Sequence, residues 1–278
     1  MDKNNTNKNY QTNINSIKSK KPIAFFDSGV GGLTVYKEVK TLLPNEDFLY
    51  FGDTLNMPYG EKTKTELIEI ARKIFDFFAQ KEVKAVVMAC NTTSAMTYEV
   101  LKDNYDFEIF PIIQSVAKVM STLPIKNLGI FATPATINSH AYANAINKIN
   151  PNINVTEIAC PSWVRIVENN KLHDKESYFL VQEKMNEMLL NNPENIILGC
   201  THYPYLKELL KHFYPQDKLI DPSNAFAQFI KNTLITNNLI NNQTNGSEKF
   251  YVSSSPENFK QASKLFCELK ELPELIKL

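Results

Sequence analysis

Two cysteines are set apart from the others by their surroundings. In Cys90-Asn91-Thr92-Thr93-Ser94 a thiol follows the apolar run Val86-Val87-Met88 and precedes amide and hydroxyl groups that can hydrogen-bond a polar substrate. In Cys200-Thr201-His202-Tyr203-Pro204 the pattern recurs after Ile196-Ile197-Leu198, with a histidine two positions along that can act as a proton partner or fix the thiol's ionisation. A thiol where a strand hands over to a helix meets free N–H groups and the positive end of the helix dipole, and both favour thiolate. A cysteine after an apolar strand is otherwise a small core residue. Cys160 and Cys267, without such polar neighbours, are read that way. A Cys-x-His pair can also ligate zinc, but structural zinc sites pair their ligands at short spacing and no other cysteine has such a neighbour, so no metal is expected.

A third candidate is Asp27-Ser28-Gly29-Val30-Gly31-Gly32, where glycines permit a tight turn and a helix start offers N–H groups to an anion. It is not a dinucleotide fingerprint, because the third glycine is missing at its required offset. Asp27 serving only to cap the next helix is the plainer alternative.

These groups need elements to hold them. Apolar runs at Ile23–Phe26, Phe48–Phe51, Ala85–Met88, Ile109–Ile112, Leu128–Phe131, Val155–Ala159, Asn195–Leu198, Leu219–Asp221 and Phe250–Val252 read as strands. Helical patterns lie between them, at Leu33–Leu43, Thr65–Gln80, Ala135–Ile149, Lys175–Leu190 and Ala225–Leu234, with further helix starts at Asn91 and Thr201. Strands apolar throughout and separated by helices imply parallel sheets covered on both faces, an α/β class. The segments Val86–Thr92 and Ile196–His202 echo each other, as do Ile23–Ser28 and Gly129–Thr133, which points to two similar halves. Ligands of such sheets bind at the carboxyl ends of the strands, so two facing halves put Cys90 and Cys200 on opposite walls of one cleft.

The chain of 278 residues, 43% hydrophobic, is long enough for one large domain or two ordinary ones. Its 30 Lys+Arg balance 30 Asp+Glu, leaving no excess charge to hold nucleic acid or an anionic membrane. No apolar run approaches the roughly 20 residues of a membrane helix. Met1 to Lys21 is polar, lacks the apolar core of a secretory signal and the arginines of a transit peptide, and reads as a disordered tail. Four scattered cysteines suit a reducing cytoplasm.

Four segments resemble, in order and spacing, the signatures of the glutamate racemases: Asp27 to Leu33, Pro58-Tyr59-Gly60, Ala89 to Ala95 and Leu198 to Pro204. The resemblance runs from about Pro22 onward. It implies two α/β domains, 22–114 plus 224–278 and 115–223, with the substrate between them. It implies two cysteines as acid and base, no pyridoxal phosphate, no metal and no other cofactor, and D-glutamate as a product used for bacterial peptidoglycan. Carried over by motif, Asp27 and Ser28 touch the substrate, and Asp27 also supports Cys90. Pro58, Tyr59 and Gly60 supply contacts, Asn91, Thr92 and Thr133 bind the amino acid, and Thr201 and His202 flank Cys200. Glu168 matches a family glutamate near the second cysteine. A homodimer stays open. The chain departs from the family pattern at Trp163 and Arg165, where Phe and Pro are usual, at Asn169-Asn170, where a Gly is usual, and at Ala132, where Gly is customary. Rival readings are a racemase of the same superfamily acting on aspartate and a binding protein that keeps the cleft without turnover.

Overall fold

A computed structural model describes residues 17–278. All strand pairings are parallel among the described residues, and they form two sheets. The first contains β1 (Ile23–Asp27), β2 (Phe48–Gly52), β3 (Ala85–Met88), β4 (Glu108–Pro111), β9 (Glu248–Val252) and β10 (Glu274–Leu275), in the order β10-β9-β2-β1-β3-β4. The second contains β5 (Asn127–Ala132), β6 (Asn154–Ala159), β7 (Asn195–Gly199) and β8 (Leu219–Ile220), in the order β6-β5-β7-β8. The order β2-β1-β3-β4 is therefore repeated as β6-β5-β7-β8. The α/β class and the two similar halves are as the sequence implies.

Alternation along β1 explains its place between two helical layers. Ile23 and Phe25 join one apolar cluster and Ala24 and Phe26 join the other, on the opposite face. The first of these clusters continues into the second sheet through Leu128, Ile130 and Phe131, so the two halves share one core. Helix Lys64–Gln80 covers the other face, and it starts where Thr63 and Glu66 form a reciprocal capping box. Helix Pro222–Thr236 begins where the Asp221 carboxylate accepts from the Ser223 N–H at 2.9 Å.

Several local expectations are corrected. Ile112 does not end a strand: it opens a helix, Ile112–Met120, after the strand stops at Pro111. The span 135–149 is two helices, Pro134–Asn138 and Ala141–Asn147, broken at His140, whose φ of 51° is left-handed and cannot continue a helix. Thr201 opens no α-helix: a turn leads to a 3-10 segment, Tyr203–Leu206. Helices Trp163–Glu168 and Pro256–Ser263 and the strand β10 join the expected elements. Of the segment read as a disordered tail, residues 1–16 lie outside the described residues. Residues 17–19 form a helical turn docked on the first sheet, where the buried Lys84 ammonium donates to the Ser19 carbonyl at 2.6 Å. Among the described residues no helix is long and apolar enough to cross a membrane.

Candidate active site

The four central strands of the repeated order end at one place. Asp27 is the last residue of β1, Cys90 follows β3 after one residue, Thr133 follows β5 and Cys200 follows β7. In each sheet the chain turns to opposite sides of the first strand, the switch point where α/β sheets open a crevice for ligands. Cys90 is the N-cap of helix Asn91–Leu101, with 6% exposure, and Cys200 has 7%. Both thiols are thus nearly sealed from solvent.

Glycines let the two halves approach this closely. A Cβ on Gly31 would lie 2.3 Å from Thr201 Oγ1 and 2.7 Å from the His202 ring, and one on Gly32 would lie 2.5 Å from the Asp27 Cβ. The turn Gly29–Gly32 of the first half therefore rests on the Thr201–His202 loop of the second. The Asp27 carboxylate, fully buried, accepts from the Gly29 N–H at 3.0 Å and from the Thr201 hydroxyl at 3.5 Å across the divide. Ser28 beside it is half-buried.

Hydroxyl and amide groups line the rest. Thr92 Oγ1 and Thr133 Oγ1 are 2.9 Å apart across the halves, and Thr136 Oγ1 lies 3.0 Å from Thr133. A Cβ on Gly60 would sit 3.3 Å from the Thr133 side chain, so the Tyr59–Gly60 backbone also reaches this point. Tyr59 is buried and donates its hydroxyl to Asp53 at 2.5 Å, while the Asp53 carboxylate also accepts from Ser253 at 2.6 Å and from Asn56. Pro58 is exposed at the start of that 3-10 turn, next to the buried Tyr59. Asp53 was missed by sequence reasoning, because Asp53-Thr54-Leu55-Asn56 lacks the glycine turn that singled out Asp27, although both lie at the end of an apolar strand.

Around the second thiol, Cys200 Sγ and His202 Nδ1 are 3.9 Å apart, and His202 Nε2 is 3.2 Å from Glu168 Oε1. That second contact is an ion-pair distance without hydrogen-bond alignment. Glu168 keeps this reach despite the unusual residues before it. Trp163 packs its ring on Phe131 and Tyr203, with centroids 4.7 and 5.1 Å apart, and Asn170 takes φ 51°, a left-handed conformation that Asn tolerates where Gly is usual. Arg165 reaches over to Glu61 of the first half at 3.1 Å. Phe266, from the segment after helix Pro256–Ser263, sets its edge to the His202 ring at 5.6 Å, a contact for which the sequence carries no signal.

Burial and neighbouring charges shift three groups of the site, Cys90, Asp27 and His202. Burial pushes the Cys90 thiol up to about 12, and the neighbouring Asp27 carboxylate adds to the shift. Burial likewise raises Asp27 against the opposing pull of His202. Burial would lower His202, but the Cys200 sulfur and the Glu168 carboxylate outweigh it and raise the imidazole to about 10. With no α-helix starting at Thr201, this cation stands where a helix dipole was expected behind Cys200. Cys160 is fully buried core, and Cys267 packs at its margin. Among the described residues no group of three or more His, Cys, Asp or Glu is arranged to hold a metal ion. A crevice of about 1010 Å³ opens between the halves, with Val30 and Met57 on one side and Glu168 and Asn170 on the other.

The family described as Asp/Glu/Hydantoin racemase matches residues 31–230. The glutamate racemase of Trichodesmium erythraeum (strain IMS101) is 38% identical over 244 residues, which span 87% of this chain and 90% of that protein. The crystal structure of glutamate racemase from Francisella tularensis subsp. tularensis SCHU S4 in complex with D-glutamate superposes with a TM-score of 0.86 at 35% identity, covering 94% of this chain and 98% of that one. The Thermus thermophilus glutamate racemase in complex with beta-chloro-D-alanine gives a TM-score of 0.83 at 32% identity, again covering 94% and 98%.

Proposed function

The chain belongs to the Asp/Glu/hydantoin racemase family, and from that premise we propose that it interconverts L- and D-glutamate without a cofactor, using Cys90 and Cys200 as opposed acid and base. One observation supports this reading: the two buried thiols stand at equivalent strand ends of two halves with the same strand order. Inversion at an α-carbon removes a proton from one face and returns one to the other, which two groups on opposite walls accomplish without either moving across the substrate. The substrate lies between a unit of residues 22–114 plus 224–278 and a unit of residues 115–223.

Burial and the neighbouring Asp27 carboxylate favour the neutral thiol of Cys90, the form that donates a proton to one enantiomer. Cys200 takes the α-proton, with the His202 cation 3.9 Å from its sulfur and Glu168 steadying that cation. The other enantiomer calls for the reverse assignment. An α-proton is a far weaker acid than a thiol, so the carbanion needs preorganised donors and exclusion of water. The Gly29–Gly32 turn, the start of helix Asn91–Leu101, and the Ser28, Thr92, Thr133 and Thr201 hydroxyls are the donors, and Pro58, Tyr59 and Gly60 close one side. Asp27 supports Cys90. The product, D-glutamate, supplies peptidoglycan synthesis, and the work is done in the cytoplasm, where the four free cysteines stay reduced.

Circular dichroism of L-glutamate, D-glutamate and L-aspartate with the purified chain tests the reading. Both glutamates lose optical activity, aspartate does not, and neither EDTA nor hydroxylamine slows the reaction. Turnover of aspartate in preference to glutamate, or loss of activity with either reagent and its return with metal or pyridoxal phosphate, contradicts it.

A further inference from the structure

Asn91 begins the helix behind Cys90, and its side chain is 2% exposed. Its amide is only half satisfied. Oδ1 accepts a 2.6 Å hydrogen bond from the Tyr142 hydroxyl, while the buried Nδ2 has no partner among the described residues. Buried donors are rarely left unmade, so such a group marks where a ligand completes the bond. A primary amide can present either its oxygen or its nitrogen to a given side. The Tyr142 hydroxyl decides between them, because its proton has no other acceptor in the hydrogen bonds of the described residues and is satisfied only when Oδ1 faces it. Burial also raises Tyr142 far above the ordinary phenol value, which keeps that proton in place.

Tyr142 is itself fully buried, in helix Ala141–Asn147 of the second half, and its ring lies against the strand that leads to Cys200: a Cβ on Gly199 would come within 3.1 Å of its Cε2. One side chain thus spans from the residue before Cys200 to the residue after Cys90. We propose that Tyr142 is a positioning residue that locks the Asn91 amide with Nδ2 turned to an anionic oxygen of the substrate. This rests on the reading of Asn91 as a contact of the amino acid.

Tyr142→Phe keeps the ring and removes only the hydroxyl. It raises KM for glutamate about ten-fold, changes kcat by less than about three-fold, and leaves the limbs of the pH–rate profile in place, because no titrating group is lost. In an Asn91→Ala background, where there is no amide to orient, the same substitution adds less than about two-fold. Unchanged KM in Tyr142→Phe, alongside a raised KM in Asn91→Ala and normal turnover by the unaltered chain, overturns the positioning role alone. An equal cost of Tyr142→Phe in both backgrounds overturns it as well, in favour of plain packing. If Asn91→Ala leaves KM unchanged, the reading of Asn91 fails and the role of Tyr142 fails with it.

Discussion

At the scale of single residues, the Asp27 carboxylate is a charge the fold does not welcome, while the His202 cation beside it is favoured. Asp27 is raised above its ordinary 3.8 because burial penalises its carboxylate more than His202 and the glycine N–H groups favour it. A group favoured in its protonated form by the fold costs nothing below 3.8, and the cost develops as pH climbs from there through the folded value. Asp27→Asn, which can still accept from Gly29, is therefore expected to melt a few degrees higher than the unaltered chain at pH 7, with the difference vanishing near pH 3. Its kcat falls at least about a hundred-fold over the same range. A lower melting temperature at pH 7 would show that the carboxylate stabilises the fold. The strand-end positions of Asp27, Cys90 and Cys200 were legible because residue type and spacing after an apolar run are local signals. Tyr142 and Phe266 were not, since an aromatic in a helical or loop pattern reads as core and nothing local tells which hydroxyl or ring edge meets the site.

At the scale of elements, the approach of one turn to one loop sets the geometry. Gly31 leaves no room for a methyl group, because Thr201 Oγ1 would be 2.3 Å from it and the His202 ring 2.7 Å. Gly31 lacks the positive φ that would demand glycine for backbone reasons, so Gly31→Ala leaves its own turn unstrained and acts by pushing the second half outward. A displacement of about 1 Å is enough to cost on the order of a hundred-fold in kcat/KM, with little change in melting temperature. Both are checked by assaying and melting the same preparation, and unaltered kcat/KM would mean that the contact is not part of the working geometry. Element types followed from periodicity, and element ends did not. The Ala and Ile spacing from Ala135 to Ile149 continues straight through His140, whose left-handed backbone has no glycine to announce it. Likewise the apolar run at 109–112 hides the point where Pro111 ends a strand and a helix begins.

At the scale of the molecule, two halves with the strand orders β2-β1-β3-β4 and β6-β5-β7-β8 share one apolar core and close on each other through Asp27 with Thr201, Thr92 with Thr133, and Asn91 with Tyr142. The sequence showed this duplication only as two short echoes, because strand order depends on hydrogen bonds between distant segments and leaves no periodic mark on the chain. The exposed Arg165–Glu61 pair also bridges the halves, but a solvated ion pair adds little to closure beside the buried contacts. The proposed two-thiol mechanism has protons enter and leave from different walls. Racemisation of L-glutamate in deuterated water, followed by mass spectrometry of each enantiomer over the first few per cent of reaction, measures this directly. Opposed thiols give D-glutamate carrying solvent deuterium at the α-carbon from the first turnover, while the remaining L-glutamate stays unlabelled. D-glutamate that forms early with its original protium would mean one base serves both faces, and would contradict the two-walled site.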